Sequence, residues 1–323
     1  MLKMHPRHYK IISILLLFSS GLFADYAGGY PGSILRLGVS ARDISLAGST
    51  VAGYEDGFSA FSNPAMIAKK NGITIGSSLL LLPNNVNMQA ISIGRELPPN
   101  AGASLSIVHA GVSNIVGINQ NEQFIESLSY HDSYAMISFG INFSKYLSIG
   151  VNTKTLFQRY SISNNETISS DGISLDIGFI SSPFKKIDLG FKINNIYGHY
   201  KWEESSQSIP RQFIIGCSYN PSENLLILAQ HELTDINNNY LAHRSSMGTE
   251  YKLNMDRPIF LRLGIKQTRW AIINNEPKED MYKVMGGFGI KFESFNKSTL
   301  NIDYAIEFNH LGISNMISLG AKL

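Results

Sequence analysis

Residues 300–309 read LNIDYAIEFN, and in this stretch every second side chain is large and apolar. The intervening positions, from Asn301 to Asn309, carry polar or small residues. Strict alternation places the two sets on opposite faces of an extended strand, whereas a helix would spread the apolar set around its axis. The stretch therefore predicts a β-strand with one apolar face and one polar face.

The same alternation recurs at 187–194 (IDLGFKIN) and 259–266 (IFLRLGIK). After residue 24, no apolar run reaches the roughly 20 residues that a membrane-spanning helix needs. Because lipid cannot satisfy open sheet edges, a membrane-embedded chain of strands has to close on itself. The sequence thus predicts an all-β fold, a transmembrane antiparallel β-barrel of about 14 strands. These strands are expected to begin near residues 73, 86, 101, 133, 147, 170, 186, 210, 223, 242, 258, 282, 298 and 313.

The predicted connections alternate in length. Short turns such as LPPN (97–100) and NPSEN (220–224) alternate with longer polar stretches. Short periplasmic turns and longer external loops are typical of outer-membrane barrels. The longer stretches lie near residues 114–132, 161–169, 200–209, 235–242 and 271–281. Aromatic residues beside them, among them Tyr130, Tyr160, Tyr200 and Trp202, are expected to anchor the barrel at the lipid interface. The alternative is that aromatic residues are simply common in strands.

Residues 1–24 are predicted to form a cleaved signal peptide. Lys3, Arg7 and Lys10 precede the apolar run 11–18, and small residues follow it. This order of a basic region, a short apolar core and small residues is typical of secretory signals. Cleavage is expected after Ala24, with Gly21 as the alternative. The chain is then divided into the signal peptide 1–24, a segment 25–70 and a barrel 71–323, located in the bacterial outer membrane.

Composition limits the other possibilities. Charged residues make up 16% of the chain, below the roughly 25% that is typical of soluble domains. The net charge of +2 and the lack of a basic stripe do not indicate nucleic-acid binding. Cys217 is the single cysteine, which excludes an internal disulfide framework. Strand pairing and the membrane are therefore expected to stabilise the fold.

Residues 34–70 read ILRLGVSARDISLAGSTVAGYEDGFSAFSNPAMIAKK and do not alternate like strands. The segment resembles the N-terminal part of the PorV/PorQ family of outer-membrane proteins, which is related to the FadL-type fatty-acid transporters. Two positions depart from the family pattern: Met66 replaces the usual glycine, and Ile44 stands near a position that is usually small. The matching residues are Leu35, Gly38, Ala41, Arg42, Leu46, Ala47, Gly48, Glu55, Asp56, Asn63, Pro64 and Ala65.

This resemblance implies a fourteen-stranded barrel whose N-terminal segment, 25–70, is folded into or across the lumen as a plug or hatch. Irregular backbone at membrane depth is tolerated only inside protein or a water-filled lumen, in agreement with this placement. Arg36 and Arg42 are expected to meet lumen carboxylates, and both a moving gate and a static plug remain open. The candidate carboxylates, by strand parity, are Asp176, Asp188, Glu250, Asp303 and Glu307.

The sequence contains no G-x-S-x-G, H-E-x-x-H or P-loop motif, and no metal-spaced pair of cysteines or histidines. Neither enzyme activity nor a cofactor is predicted, although a Ser-His-Asp triad assembled from distant positions stays open. The GGFG stretch at 286–289 is interpreted as small residues in a strand that the N-terminal segment approaches. Four histidines fall at predicted strand ends or loops: His131, His199, His243 and His310.

Two functions compete, and a scaffold without transport is a third. By resemblance to PorV and PorQ, the barrel would be a non-catalytic component of type IX secretion. It would then contact secretion-system proteins or exported cargo, chiefly through the loop 114–132. By resemblance to the FadL group, it would pass a hydrophobic small molecule through the lumen or a lateral opening. Its other expected partner is the lipid of the outer membrane.

Overall fold

The computed structural model describes residues 30–53, 57–69, 72–118, 124–162, 166–203, 205–235, 241–269, 280–293, 298–309 and 312–323. The predicted signal peptide lies outside these residues. The strands are β1 (Ile73–Leu81), β2 (Asn87–Leu97), β3 (Ala101–Ile118), β4 (Phe124–Ser144), β5 (Leu147–Ile162), β6 (Glu166–Phe184), β7 (Ile187–Lys201), β8 (Ser206–Ser208), β9 (Gln212–Ser222), β10 (Leu225–Asp235), β11 (Leu241–Leu253), β12 (Ile259–Arg269), β13 (Asp280–Glu293), β14 (Thr299–Asn309) and β15 (Gly312–Lys322).

Fourteen of these strands close into an antiparallel barrel, because β1 pairs both with β2 and with the last strand, β15. The three-residue β8 pairs with His199 to Lys201, at the end of β7, and is not one of the fourteen barrel strands. We call the end that carries Ile73 and Leu323 the terminal end and the opposite end the far end. The predicted count of about fourteen strands is confirmed.

The alternation seen in the sequence becomes the two faces of the barrel wall. Outward-facing apolar side chains are exposed, for example Ile91 at 63% and Ile137 at 64%. Inward-facing positions hold buried polar groups such as Ser106 and Asn152. A soluble protein would reverse this arrangement, whereas an apolar outer band with a polar interior is what a membrane barrel requires. The chain is therefore a barrel of the outer-membrane type, with lipid against its apolar band.

The observed strands begin close to the predicted positions, with one large exception. The predicted loop 114–132 is wrong, because β3 continues to Ile118 and β4 already begins at Phe124. The ladder passes a bulge at Asn114, which adopts a φ of 59°, and resumes with the pairing of Ile115 and Leu128. This part of the ladder continues well past the apolar band, where apolar and polar residues need not alternate. The pattern that reveals a strand is therefore lost there.

The wall is consequently uneven in height. Strands β3 to β6 contain 16 to 21 residues, whereas β1 has 9 and β9 has 11. About 9–11 residues suffice for a tilted strand to cross a membrane. The additional residues of β3 to β6 lie at the far end, so this side of the barrel projects beyond the membrane.

Residues 30–53 and 57–69, hereafter the inner segment, lie inside the barrel. They form short α-helices at Ala41–Ser45 and Ser59–Ser62, and 3₁₀ helices at Ser33–Arg36 and Pro64–Lys69. The Ser40 hydroxyl caps the first α-helix by accepting a hydrogen bond of 3.0 Å from the Asp43 N–H. Among the described residues, no helix is long and apolar enough to cross a membrane.

Candidate functional site

A run of glycines in the wall receives the second half of the inner segment. Gly102, Gly140, Gly150 and Gly178 are direct cross-strand neighbours on β3, β4, β5 and β6. A Cβ atom on Gly150 would lie 2.3 Å from the carbonyl carbon of Pro64, and one on Gly102 would lie 2.3 Å from the Ile67 oxygen. Such distances are impossible for real side chains. Glycine is therefore required at these positions, where the backbone of this 3₁₀ helix lies against the wall.

Further glycines extend this contact around the other side of the barrel. A Cβ on Gly190 would approach the Val51 oxygen at 2.3 Å, and one on Gly264 would approach the Ala47 nitrogen at 2.6 Å. Gly287, within the GGFG stretch, would meet the Cβ of Ser45 at 2.7 Å. The expected approach of the N-terminal segment to GGFG is confirmed. We call these seven positions the glycine belt: Gly102, Gly140, Gly150, Gly178, Gly190, Gly264 and Gly287.

Asn63 fastens the inner segment to the wall at the glycine belt. Its Nδ2 lies 3.1 Å from the carbonyl oxygens of both Val51 and Phe179 and 3.3 Å from that of Phe191. Its Oδ1 accepts a hydrogen bond of 3.1 Å from the N–H of Ala65. Because Asn63 is completely buried, every one of these contacts replaces water. The side chain therefore joins β6 and β7 to two parts of the inner segment.

The residues after Asn63 fill the space beside these strands. Pro64 begins the 3₁₀ helix, and Ala65 is completely buried. Met66, which stands where the resembled family carries glycine, packs with Ala65 and Ile180. A long side chain is tolerated at position 66 because it points into an apolar pocket at the wall.

Arg42 forms the second attachment, to a different part of the wall, at β11. Its guanidinium donates two hydrogen bonds to Glu250, from Nε at 2.8 Å and from Nη2 at 3.0 Å. Glu250 also accepts from Nε of Arg262 at 2.5 Å, and Nη1 of Arg262 donates to Asp303 at 2.6 Å. Two cations thus meet two carboxylates in a buried network without net charge. The expected pairing of Arg42 with a lumen carboxylate is confirmed.

Arg36 uses part of its guanidinium within its own segment. It donates to the carbonyl oxygens of Pro31 at 3.1 Å and Tyr30 at 3.0 Å. An arginine side chain has five N–H donors, so these two hydrogen bonds do not exhaust it. The pairing of Arg36 with a lumen carboxylate stays a prediction.

Other residues of the predicted motif hold the inner segment in its conformation and against the wall. The N–H of Ala41 donates to Oγ of Ser318 at 3.1 Å, and Leu35 packs against the buried core. Gly48 adopts a φ of 69°, which favours glycine. A Cβ on Gly38 would lie 2.8 Å from the Ile44 side chain. Asp56 lies outside the described residues.

A cavity of about 260 Å³ lies between the inner segment and the wall. Its apolar lining includes Leu35 and Phe58 of the inner segment and Met285 of the wall. Three ion pairs also line it, namely Lys154 with Asp176, Arg244 with Glu232, and Lys283 with Glu307. A lining that combines apolar and charged side chains suits a molecule that is itself amphipathic.

Positive charge exceeds negative charge in this cavity. Lys192 donates to the carbonyl oxygen of Phe61 at 2.6 Å. Lys266 also faces the cavity and, within the described residues, forms no salt bridge. The lining holds six cationic and four anionic side chains, an excess of two formal positive charges. They are Arg36, Lys154, Lys192, Arg244, Lys266 and Lys283 against Asp43, Asp176, Glu232 and Glu307.

Aromatic residues at the far end line the lumen. The Tyr130 and Tyr160 rings lie 4.5 Å apart, and the Tyr160 and Trp202 rings 5.9 Å apart. Asp132 accepts hydrogen bonds from the hydroxyls of Tyr130 at 3.1 Å and Tyr200 at 3.3 Å. The interpretation of these tyrosines as lipid anchors is wrong, because their side chains face the lumen, on the same side of the wall as Asp132. The alternation of β4, continued back through residues 124–132, would have placed Tyr130 on the lumen face.

No group of three or more metal-ligating side chains occurs in the part of the chain that the structure describes. The described site therefore consists of two attachments of the inner segment, the glycine belt, a charged cavity and a group of aromatic residues at the far end.

The comparisons with known proteins agree on the fold. No protein-family model and no curated protein matches the chain. Among solved structures, it is similar to the CymD monoaromatic hydrocarbon channel and to a FadL homologue of Pseudomonas aeruginosa, each with 12% identity and a TM-score of 0.61. The alignments cover 88% of this chain and 96% and 97% of those chains.

A third similar structure is the toluene transporter TodX of Pseudomonas putida, with a TM-score of 0.60 and 12% identity over 88% of this chain and 96% of that one. Of these neighbours, CymD is named as a channel and TodX as a transporter. At this identity, the similarity shows a common fold, the closed fourteen-stranded barrel of FadL-like outer-membrane proteins.

Proposed function

We propose that the chain is an outer-membrane channel of the FadL type that admits small amphipathic molecules carrying a negative charge. The observation that carries this proposal is the lumen cavity, whose lining combines apolar side chains with an excess of cations. The segment 25–70 serves as the hatch of this channel, with the tall side of the barrel outside the cell and the short turns in the periplasm.

The charge of the ligand follows from the cations in the cavity. An ammonium group that is removed from water without a carboxylate partner is costly, so an anionic ligand gains by supplying that partner. Lys266 is the side chain best placed to do this, because it faces the cavity and the described residues give it no salt bridge. A carboxylate would bind near Lys266 while its hydrocarbon part packs against Leu35 and Phe58.

Passage requires the inner segment to move, since it lies in the lumen and is attached to the wall at two places. Asn63 holds it to β6 and β7, and Arg42 holds it to β11. Release of one attachment would open one side of the lumen while the other acts as a hinge. This arrangement supports a moving hatch over a static plug.

Uptake by proteoliposomes tests the proposal. Barrels would be reconstituted without other proteins and supplied with radiolabelled octanoate or with the uncharged octanol. We expect octanoate uptake to fall several-fold in Lys266→Gln. The matched control is Lys291→Gln, which removes a cation that pairs with Glu293 and does not line the cavity. Equal octanoate uptake by wild type, Lys266→Gln and protein-free liposomes would contradict the channel function.

A component of type IX secretion, of the PorV/PorQ type, is the second candidate. The residues that support it are the motif from Leu35 to Ala65 and the projecting wall of β3 to β6, which offers a surface outside the membrane. Deletion of the gene should then retain cargo proteins in the periplasm or release them unattached. Normal export and attachment in the deletion strain, together with lost octanoate uptake, would eliminate this candidate and leave the channel.

A further inference from the structure

Two pairs of strands carry the same set of outward-facing residues. His109 on β3 lies opposite Ser133 on β4, and His131 is two residues before that serine. His231 on β10 lies opposite Ser245 on β11, and His243 is again two residues before the serine. Each arrangement appears in the sequence as His-x-Ser on the second strand. We call the β3–β4 set the first triplet and the β10–β11 set the second triplet.

Both triplets lie at the far-end margin of the apolar band. In the second triplet, the outward position after His231 towards the terminal end is Ala229, followed by the apolar Ile227 and Leu225. Towards the far end, β10 ends at Asp235 within four residues. This is the level at which lipid headgroups and water meet the barrel. Ions in the surrounding solution can therefore approach this level of the barrel without crossing the membrane.

The second triplet brings two imidazole nitrogens together. Nε2 of His231 and Nδ1 of His243 lie 3.4 Å apart. Two nitrogens bound to one tetrahedral ion at about 2.05 Å are separated by about 3.3 Å. The observed separation therefore matches that of two ligands of a single ion, and it requires no movement of the strands.

Ser245 prepares His231 for this role. Its Oγ lies 2.9 Å from Nδ1 of His231. A hydroxyl that accepts from Nδ1–H leaves the lone pair on Nε2, the atom that faces His243. Metal-binding histidines are commonly held in this way by an acceptor on the other ring nitrogen. The ring itself is also fixed by packing, since His231 is 7% exposed.

The first triplet has the same residues but a different ring arrangement. Ser133 again contacts a ring nitrogen, Nδ1 of His109, at 2.8 Å. The His109 and His131 rings, however, are stacked with an interplanar angle of 17° and centroids 5.4 Å apart. Lone pairs lie in the plane of each ring, so stacked rings cannot direct them to a common point. The second triplet, whose rings are tilted by 44°, can do so.

We propose that His231 and His243 form a binding site for one transition-metal ion such as Zn²⁺ or Cu²⁺ on the outer face of the barrel. Imidazole nitrogen suits these ions, whereas Mg²⁺ and Ca²⁺ prefer oxygen. Two protein ligands leave the remaining positions of the ion to water. The bound ion would cross-link β10 and β11 at the far end. The site is independent of the lumen cavity and of the channel function.

Metal titration of the purified full-length barrel in detergent tests this site. The protein is prepared without a polyhistidine tag. It also carries Cys217→Ser, which removes the single thiol, since a thiolate would compete for the metal ion. We expect one Zn²⁺ per barrel by competition with a fluorescent chelator, and no comparable binding of Mg²⁺. The affinity for Zn²⁺ should fall at least ten-fold in His231→Gln and in His243→Gln.

The first triplet supplies the matched control. His109→Gln makes the same chemical change on the same face and should retain the wild-type affinity and stoichiometry. With Cu²⁺, electron paramagnetic resonance should show two imidazole nitrogens in wild type and in His109→Gln, and fewer in His243→Gln. Each variant is compared only after it shows heat-modifiable migration on a gel, which establishes that the barrel has closed.

Three outcomes would overturn the metal site. The first is Zn²⁺ affinity that does not change in His231→Gln and His243→Gln. The second is an equal loss of Zn²⁺ in all three histidine variants when their barrels are closed. The third is binding of inorganic phosphate, abolished by His243→Gln, by a barrel that binds no zinc, since this would make the pair a headgroup site. Loss confined to the two residues of the second triplet supports the metal site.

Discussion

Arg42 of the inner segment and Glu250 of β11 are joined by two hydrogen bonds of 2.8 and 3.0 Å inside the barrel. Two donors of one guanidinium meeting two oxygens of one carboxylate fix both the distance and the orientation of the partners. Arg262 approaches the same carboxylate from the wall and continues to Asp303. The inner segment thus completes a network of charges that the wall has only partly neutralised.

Removal of Arg42 should therefore loosen the inner segment. Arg42→Gln leaves Glu250 with Arg262 as its remaining cation, so the loss should be about 2–3 kcal/mol, at or below the range for a broken buried pair. Urea unfolding in detergent measures it. Lys291→Gln is the control, because its partner Glu293 is exposed, and such pairs contribute at most about 1 kcal/mol. A similar loss in both variants would contradict the importance of the network.

The glycine belt gives a second prediction. A Cβ on Gly178 would lie 2.1 Å from Oδ1 of Asn63, so Gly178→Ala must displace the inner segment. We expect a loss of about 1–3 kcal/mol, the usual cost of overpacking, and faster protease cleavage within residues 57–69. Gly286→Ala is the matched control on β13, since the nearest atom to its Cβ would be 3.8 Å away. The idea of a belt fails if both variants resist the protease equally.

The number of strands could be predicted because membrane and lumen impose opposite requirements on adjacent residues. At Leu300 to Phe308, lipid on one side and a polar interior on the other leave the alternation visible in the sequence. The far-end part of β4, which begins at Phe124, could not be predicted in the same way. Beyond the apolar band, residues such as Ser127 and Ser129 have no lipid to distinguish one face from the other.

The inner segment shows which parts of the candidate site follow from sequence. Asn63 and Arg42 were singled out by the motif, and a buried arginine predicts a buried carboxylate as partner. Apart from Gly287 in the GGFG stretch, the glycine belt was missed, although strand glycines such as Gly150 and Gly178 already suggest close approach of another backbone. Which backbone comes close depends on how the inner segment winds across the lumen, and no local pattern contains that path.

Asn63 leads to a prediction about hydrogen bonding. Asn63→Asp keeps the size of the side chain but removes the Nδ2 donors that face the oxygens of Val51, Phe179 and Phe191. Unsatisfied buried acceptors cost about 1–3 kcal/mol, and a carboxylate facing carbonyl oxygens adds repulsion. We expect the unfolding midpoint in urea to fall more in Asn63→Asp than in Asn63→Ala, which introduces no charge. A smaller loss in Asn63→Asp would show that the donors are unimportant.

The height of the wall gives the last prediction. Val112 and Tyr130 are paired on β3 and β4, so residues 113–129 can be replaced by Asn-Gly, a two-residue turn that suits antiparallel strands. The shortened strands, 101–112 and 130–144, still exceed the roughly 9–11 residues needed to cross a membrane. The variant should therefore close and keep heat-modifiable migration with little change in its unfolding midpoint. Loss of closure would mean that the projecting hairpin is required for folding of the membrane part.

A closed barrel of this variant also distinguishes the two proposed functions. A secretion partner that docks on the projecting part of β3 and β4 should no longer bind to it. Octanoate uptake through the lumen should persist in that barrel, because the cavity lining begins at Tyr134 on β4, below the deleted residues.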